Sequence, residues 1–365
     1  MNAIPKEWVR NLRNYPRSKG TVQEGIPVAC AVPFKQLLLA WRSGGDQLVI
    51  TPCCDTWIQY DEPSEVLIRE VIDDPFKHIN TPYLVKFRQS ILDGSYSFCH
   101  RGKCPFLMVG LQNFLSDEEH KGMLAAKGIL KEIPTAYIGT DPSCNLACGS
   151  CRSDYQTKAN DLTKPLILGL LEKGAKSLFM STSGDPFYNR GIREIMQTLE
   201  RGKYPLLEKV SLLTNGQLLN ESMWESLSPH FKELLFEVQV SVDSITKETY
   251  ETLRKGGSFE RIQSNLSFLS SLKQRGLLKF FSLSFVIQDL NKWELPLLAE
   301  FAAQLKVDFV MFYKVTQWMD DESFKKIQLS PTFFSENMGL IAETKRILKE
   351  NGIPYATSIP ELVPV

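Results

Sequence analysis

Short apolar runs and helix-like segments alternate along the second half of the chain. Val, Phe and Leu fill strand-like runs at Ile133–Gly139, Ser177–Thr182, Lys209–Thr214, Leu234–Val242, Lys279–Ile287 and Asp308–Tyr313. Between them, Pro165–Lys173, Ile192–Arg201, Met223–Leu227, Lys247–Leu253, Phe259–Gln274 and Trp293–Leu305 read as helices. Boundary signals agree with this division. Pro165 suits a first helical turn, Gly174 and Gly276 end helices, and Asn215-Gly216 closes a strand. Strands joined by helices specify a parallel sheet, and apolar runs suit strands buried on both faces. Six such units are too few for a closed eight-strand barrel. A partial barrel and an open doubly wound sheet both satisfy the pattern.

The first half reads differently. Phe34–Trp41 and Gln47–Thr51 flank Gly44-Gly45 as a hairpin would. Pro82–Leu92 reads as a helix ending at Asp93-Gly94. The expected organisation is an N-terminal extension (1–24), a small α+β domain (25–110), a linker helix (111–132), the βα region (133–320) and a C-terminal helix and tail (321–365). A chain of 365 residues accommodates this.

Charge and composition narrow the partners. The 42 basic residues balance 42 acidic ones, which argues against a nucleic-acid partner and its basic stripe. No apolar run is long enough to span a bilayer, so no membrane partner is expected. Met1–Arg17 lacks the apolar core of a signal peptide. A cytoplasmic location is expected, where clustered cysteines are thiolate ligands more often than disulfides.

The cysteines are Cys30, Cys53, Cys54, Cys99, Cys104, Cys144, Cys148 and Cys151, with none beyond residue 151. Cys144, Cys148 and Cys151 form one tight run that follows the first strand of the βα region, where such folds place their sites. Three thiolates without a nearby His suit a cubane cluster with one open iron. A zinc loop with a distant fourth ligand is the alternative. Further candidates sit at later strand ends: Ser183, Gly184 and Asp185; Thr214 and Asn215; Ser241 and Asp243; and Gln288 with Asn291. Ser241 and Asp243, two apart, would share one strand face. Arg254 follows the fourth strand and its helix. Ordinary turns, or an arginine favoured by a helix end, are the competing readings. In the N-terminal region Cys30, Cys53, Cys54, Cys99 and Cys104 supply enough thiols for four ligands, which could hold one tetrahedral ion or one closed cubane.

The Cys144-x3-Cys148-x2-Cys151 spacing resembles the signature of radical S-adenosylmethionine (SAM) enzymes, over roughly residues 133–315. The resemblance implies a partial (β/α)6 barrel. It also implies a [4Fe–4S] cluster on these cysteines, whose open iron binds the SAM amino and carboxylate groups. One electron then cleaves SAM to methionine and a 5′-deoxyadenosyl radical, which abstracts hydrogen. Ser183-Gly184-Asp185-Pro186 resembles the Gly-Gly-Glu-Pro motif that holds the SAM amino group, and Thr214-Asn215-Gly216 the Thr-Asn-Gly near SAM. By the same resemblance Ser241 and Asp243 face the ribose or methionyl part, Arg254 pairs with the SAM carboxylate, and Gln288 lies near adenine or substrate. Ser150 departs from the aromatic many members carry there, and Tyr155 is the candidate to replace it.

The N-terminal segment resembles the auxiliary-cluster (SPASM or twitch) module of the same enzymes, on Cys30, the hairpin, Pro52-Cys53-Cys54, Phe87–Gly94, Cys99 and Cys104. Here it precedes the barrel rather than following it. That resemblance implies a second [4Fe–4S] cluster on Cys30, Cys53, Cys99 and Cys104, with Cys54 a candidate catalytic hydrogen-atom donor. It also implies an electron donor such as flavodoxin or ferredoxin. The expected activity is oxidative crosslinking or dehydrogenation of a peptide. Epimerisation or dehydrogenation of a sugar or aminocyclitol, and a non-enzymatic iron–sulfur or zinc scaffold, are the alternatives. Neither a winged-helix leader-peptide domain nor a cobalamin domain is expected.

Overall fold

The computed structural model describes residues 29–41, 46–54, 57–59, 65–100, 104, 107, 114–152, 154–180, 183–315, 322–357 and 359–362. Two compact units emerge. One comprises residues up to 140 with 161–182 and 204–208; the other comprises 141–160, 183–203 and 209–365.

The first unit is built on five strands: β1 (Gln36–Trp41), β2 (Gln47–Thr51), β3 (Glu65–Leu67), β4 (Thr135–Gly139) and β5 (Ser177–Met180), in the order β5-β4-β1-β2-β3. The expected hairpin is present: Leu38 faces Thr51 and Trp41 faces Leu48 across antiparallel β1 and β2. Its Gly44-Gly45 turn lies outside the described residues. β4 runs parallel to both β1 and β5. Among its described residues, the segment expected as one linker helix is helical only at Asp117–Ala125, where Ser116 and Glu119 form a capping box.

The helix Pro82–Leu92 begins as predicted, with the Thr81 hydroxyl accepting from Leu84 N and Pro82 in the first turn. It ends at Gly94, whose φ of 76° glycine adopts without strain. Its inward face buries Leu84, Phe87, Ile91 and, unexpectedly, Arg88. Arg88 is fully buried. Its Nε donates to the Gly128 carbonyl (2.5 Å), and Nη2 donates to the Ile79 carbonyl (2.9 Å) and Asn80 Oδ1 (3.0 Å). Burial pulls its pKa down to about 10. Arg88 thus serves as an internal strut that satisfies chain-end carbonyls of two other segments.

The second unit carries β6 (Lys209–Thr214), β7 (Leu235–Ser241), β8 (Phe280–Ile287), β9 (Phe309–Lys314) and β10 (Tyr355–Thr357), parallel and in sequential order. Helices Lys247–Leu253, Phe259–Gln274 and Leu295–Gln304 form crossovers among them. Val238, Val240, Phe281, Leu283, Phe285 and Phe312 are buried, which is why these runs lack polar alternation. All six predicted strands exist, as β4 to β9, so the chain is α/β with the strands and helical connections of a partial (β/α)6 barrel. β3, β10 and the helices Ile68–Asp73, Pro75–Ile79 and Pro229–Leu234 were not anticipated. Each is six residues or shorter, too brief to show a period.

Replacing Arg88 with Met keeps its apolar stem and removes the donors to two buried carbonyls and to the half-buried Asn80 amide. The substitution is expected to destabilise the first unit by roughly 3 kcal/mol. Denaturant titration combined with hydrogen exchange on Pro82–Leu92 measures this; a wild-type midpoint would show that the strut is dispensable.

Candidate active site

The three-cysteine loop has no regular secondary structure, so its backbone must find partners elsewhere. Cys144 N donates to the Gln156 carbonyl (2.8 Å), Ala147 N to that of Lys255 (3.0 Å) and Gly149 N to that of Leu253 (3.3 Å). Asp141 organises the loop's start: Oδ1 accepts from Ser143 N (2.8 Å) and from the Ser143 hydroxyl, and Oδ2 accepts from Asn160 N (2.5 Å). N–H donors also reach sulfur. Leu146 N (3.4 Å) and Asn215 Nδ2 (3.5 Å) donate to Cys144 Sγ, and Arg152 Nη2 donates to Cys151 Sγ (3.4 Å).

Burial raises the Cys144 pKa, and nearby Asp185 adds to the rise; Leu146 N, Arg152 and Asn215 oppose it. Cys148 is pushed up to about 12 by desolvation, with Arg254 pulling down and Asp243 pushing up. As free thiols these groups hold their protons; a cationic iron centre would displace them. Three cysteines, with N–H donors aimed at the sulfurs of Cys144 and Cys151, form a donor set that fits an iron–sulfur cluster.

The segment after β5 docks on this loop. Asp185 N donates to the Ser143 carbonyl (3.0 Å) and the Ser183 hydroxyl to that of Asp141 (2.8 Å). A Cβ on Gly184 would collide with the Asp141 and Ser143 carbonyl oxygens. The buried Asp185 carboxylate accepts from the Thr214 hydroxyl (2.7 Å), Asn215 N (2.8 Å) and Phe187 N (3.0 Å). Burial raises its pKa, and these donors hold the rise in check. Ser183, Gly184, Asp185, Thr214 and Asn215 are therefore brought together against the cysteine loop.

Asp243 and Arg254 form a buried ion pair, Nη2 to Oδ2 at 2.8 Å. Arg254 does cap the end of helix Lys247–Leu253, yet its side chain is committed to Asp243. Burial disfavours its charge, but Asp243 and Cys148 hold its pKa above the ordinary arginine value. The expectation that Ser241 and Asp243 share a strand face is corrected. β7 ends at Ser241, and Asp243 takes a left-handed φ of 65°, which breaks the alternation. Ser241 instead pairs its hydroxyl with that of Ser284 (3.0 Å). Asp243 Oδ1 accepts from Val286 N (2.8 Å), and Asn291 Nδ2 bonds the Asp243 and Val286 carbonyls. Asn291 Oδ1 accepts from Gln288 N (2.8 Å). The Gln288 side-chain amide is buried with neither its nitrogen nor its oxygen hydrogen-bonded, and Arg254 Nε is likewise without a partner. Such orphaned polar atoms fit a polar ligand of the SAM type.

Three contributors escaped sequence reasoning. Arg152 bonds the Pro142 and Ser183 carbonyls as well as Cys151. Glu294, buried, accepts from Ser244 Oγ, Ile245 N and Thr246 Oγ1, and so fixes the chain after β7. Gln217 bonds the Tyr250 hydroxyl and the Ser258 carbonyl. The contacts of Glu294 and Gln217, and the Arg152–Ser183 bond, join residues at least 31 apart, so no local signal marks them. Tyr155 is exposed and lies beside Gly256, with Lys255 Nζ 5.8 Å from its ring centroid.

In the first unit Cys30, Cys53, Cys99 and Cys104 line one pocket with Trp57, Phe87, Ile91 and Tyr96. Burial pushes the Cys30 thiol up to about 12, and the Cys53 thiol rises for the same reason, with the other cysteines adding to both. Tyr96 ties two of the cysteine segments together: its hydroxyl accepts from Cys30 N (3.1 Å) and its carbonyl from Cys99 N (3.0 Å). Cys54 is half-buried and lies outside the pocket lining. Among the described residues, no three His, Cys, Asp or Glu side chains meet closely enough to hold a single metal ion. No described helix is long and apolar enough to cross a membrane.

Residues 140–302 match the Radical SAM superfamily model, so the chain carries a radical SAM domain, of a class that uses SAM and a [4Fe–4S] cluster. Its curated relatives include a probable GTP 3′,8-cyclase of Methanocaldococcus jannaschii, 26% identical over 182 residues, covering 48% of this chain and 57% of the relative. The GTP 3′,8-cyclase of Peptoclostridium acidaminophilum is 25% identical over 153 residues, 40% of this chain and 45% of the relative. The chain thus spans about half the length of the curated relatives it matches. Among solved structures, Streptococcus suis SuiB bound to its precursor peptide SuiA aligns with a TM-score of 0.45 at 15% identity, over 88% of this chain and 71% of SuiB. Native anSMEcpe with bound AdoMet and a peptide aligns with a TM-score of 0.46 at 17% identity, over 60% of this chain and 62% of that one.

Breaking a buried ion pair from one side strands the other charge, at a cost of roughly 3–5 kcal/mol. Asp243→Asn and Arg254→Gln are each expected to destabilise the second unit on that scale, and the double variant to lose less than the sum. A double-mutant cycle by chemical denaturation tests this; strict additivity would mean the pair carries no coupling.

Proposed function

We propose that this enzyme carries two [4Fe–4S] clusters and uses a SAM-derived radical to oxidise its substrate, with a peptide as the favoured substrate class and crosslinking or dehydrogenation as the outcome. The observation that carries the reading is the convergence of Cys30, Cys53, Cys99 and Cys104 on one pocket. Thiols spread around a pocket suit a cubane, with one thiolate for each iron, better than a single zinc that draws its ligands to a point. A cluster capped on every iron has no position for substrate, which leaves electron transfer as its use.

In the second unit Cys144, Cys148 and Cys151 would hold the SAM-binding cluster, which when bound supplies the electron that cleaves SAM. The chain's own residues bind and orient SAM. Ser183, Gly184 and Asp185 shape the loop against the cysteines. Thr214 and Asn215 are fixed by Asp185, and Ser241, Asp243 and Arg254 line the next strand end. Gln288 presents an unpartnered amide. A flavodoxin or ferredoxin is the expected reductant. If the outcome is instead epimerisation of a sugar, aminocyclitol or peptide residue, Cys54 is the hydrogen-atom donor. A second reading, chemistry on a purine nucleotide, is favoured by the GTP 3′,8-cyclase names of the curated relatives.

The full chain reconstituted without oxygen is expected to bind about eight iron and eight sulfide, and about four of each once Cys144, Cys148 and Cys151 are all replaced by Ala. Zinc in place of the remaining iron would overturn the auxiliary cluster.

The chemistry is tested by reducing the loaded enzyme with SAM in deuterated water, with peptides, sugars or aminocyclitols, or GTP. 5′-Deoxyadenosine is expected, formed faster with the true substrate. A peptide product lighter by two hydrogens supports the oxidative reading. Deuterium at one carbon assigns epimerisation, and turnover of GTP assigns the nucleotide reading. No 5′-deoxyadenosine from enzyme with both clusters loaded would overturn all three.

A further inference from the structure

Arg152 directly follows the third cysteine, and its guanidinium joins three segments of the second unit. Nη1 donates to the Pro142 carbonyl at 2.5 Å, Nη2 to the Ser183 carbonyl at 2.6 Å, and Nη2 also to Cys151 Sγ at 3.4 Å. Pro142 opens the cysteine loop, Cys151 closes its run of thiols, and Ser183 begins the segment after β5. The side chain is half-buried, so these bonds are partly shielded from water. A planar guanidinium reaches two carbonyls at once in fixed geometry, which a lysine ammonium does not reproduce.

Two effects follow from this placement. A positive N–H at a cluster sulfur favours the reduced and more negative state of the cluster, which raises its reduction potential. The clamp on the Pro142 and Ser183 carbonyls also fixes the loop that carries Ser183, Gly184 and Asp185 against the thiols. The two effects are separable, because the first needs charge and the second needs the fork. We propose that Arg152 is a positioning residue that couples the SAM-binding cluster to the Ser183 loop, raising the cluster's potential through Cys151 and holding the loop in its SAM-binding geometry. This inference rests on the radical SAM reading of the cysteine loop.

The test compares the full chain with its Arg152→Lys and Arg152→Gln variants, each reconstituted without oxygen. Iron content is measured first. The midpoint potential is then taken from the electron paramagnetic resonance signal that disappears when Cys144, Cys148 and Cys151 are replaced, and SAM affinity is taken from equilibrium dialysis. Arg152→Gln is expected to shift the potential to more negative values and to raise the SAM Kd about tenfold. Arg152→Lys is expected to restore most of the potential and little of the affinity. Full iron content in Arg152→Gln with both quantities unchanged would overturn the proposal. If Arg152→Gln loads no iron, Arg152→Lys decides: wild-type SAM affinity overturns the proposal, and weakened affinity at a near wild-type potential supports it. A parent chain that loads its cluster and binds no SAM would overturn the radical SAM reading instead.

Discussion

Three thiols must be held at fixed spacing on a stretch of chain that forms neither helix nor strand. Every peptide group in such a loop needs a partner, and the partners come from the segments on either side of it. Leu253 and Lys255 supply carbonyls from the end of helix Lys247–Leu253 and the turn after it, and Asp185 N meets the Ser143 carbonyl from the segment after β5. Much of the local sequence follows from that requirement. Gly184 is glycine because two carbonyl oxygens occupy the space of a side chain. Gly256 is glycine because the chain turns there with a φ of 91° directly against Tyr155.

The electrostatics of the site rest on the Asp243–Arg254 pair. Burying both charges costs solvation that their attraction only partly returns, so the pair is better understood as fixing geometry than as adding stability. Asp243 is held by bonds from Val286 N and Asn291, and Arg254 by the helix that it ends. Cys148 lies between opposing influences: Arg254 favours its thiolate and Asp243 disfavours it. A substitution at either partner therefore changes how readily the Cys148 thiol ionises.

Much of this arrangement was legible in the sequence, for identifiable reasons. Strands β4 to β9 showed themselves because buried parallel strands are uninterrupted apolar runs, and three helices (Pro82–Leu92, Lys247–Leu253 and Phe259–Gln274) match their predicted bounds. The cysteine loop and the Ser183–Asp185 segment were visible as motifs. What stayed hidden was set by long-range partners. Arg254 looks the same in sequence whether it faces a ligand or Asp243, and Asp243 left its strand through a backbone conformation that no pattern encodes. Arg88 lies in a segment singled out for its resemblance to a cluster module. The structure gives that arginine a mechanical task, supporting the Gly128 and Ile79 carbonyls. Glu294 orders the chain after β7 from fifty residues away.

The two cysteine sets differ in how the chain assembles them, and this bears on biogenesis. Cys144, Cys148 and Cys151 are close neighbours in sequence, so the entropy of gathering them is small even in an unfolded chain. Cys30, Cys53, Cys99 and Cys104 meet only after β1, β2 and the helix Pro82–Leu92 have packed and Tyr96 has drawn the Cys30 and Cys99 loops together. The local set is therefore together as soon as that stretch of chain emerges. The dispersed set has to wait for its unit to fold, so the two sets are assembled in order rather than at once.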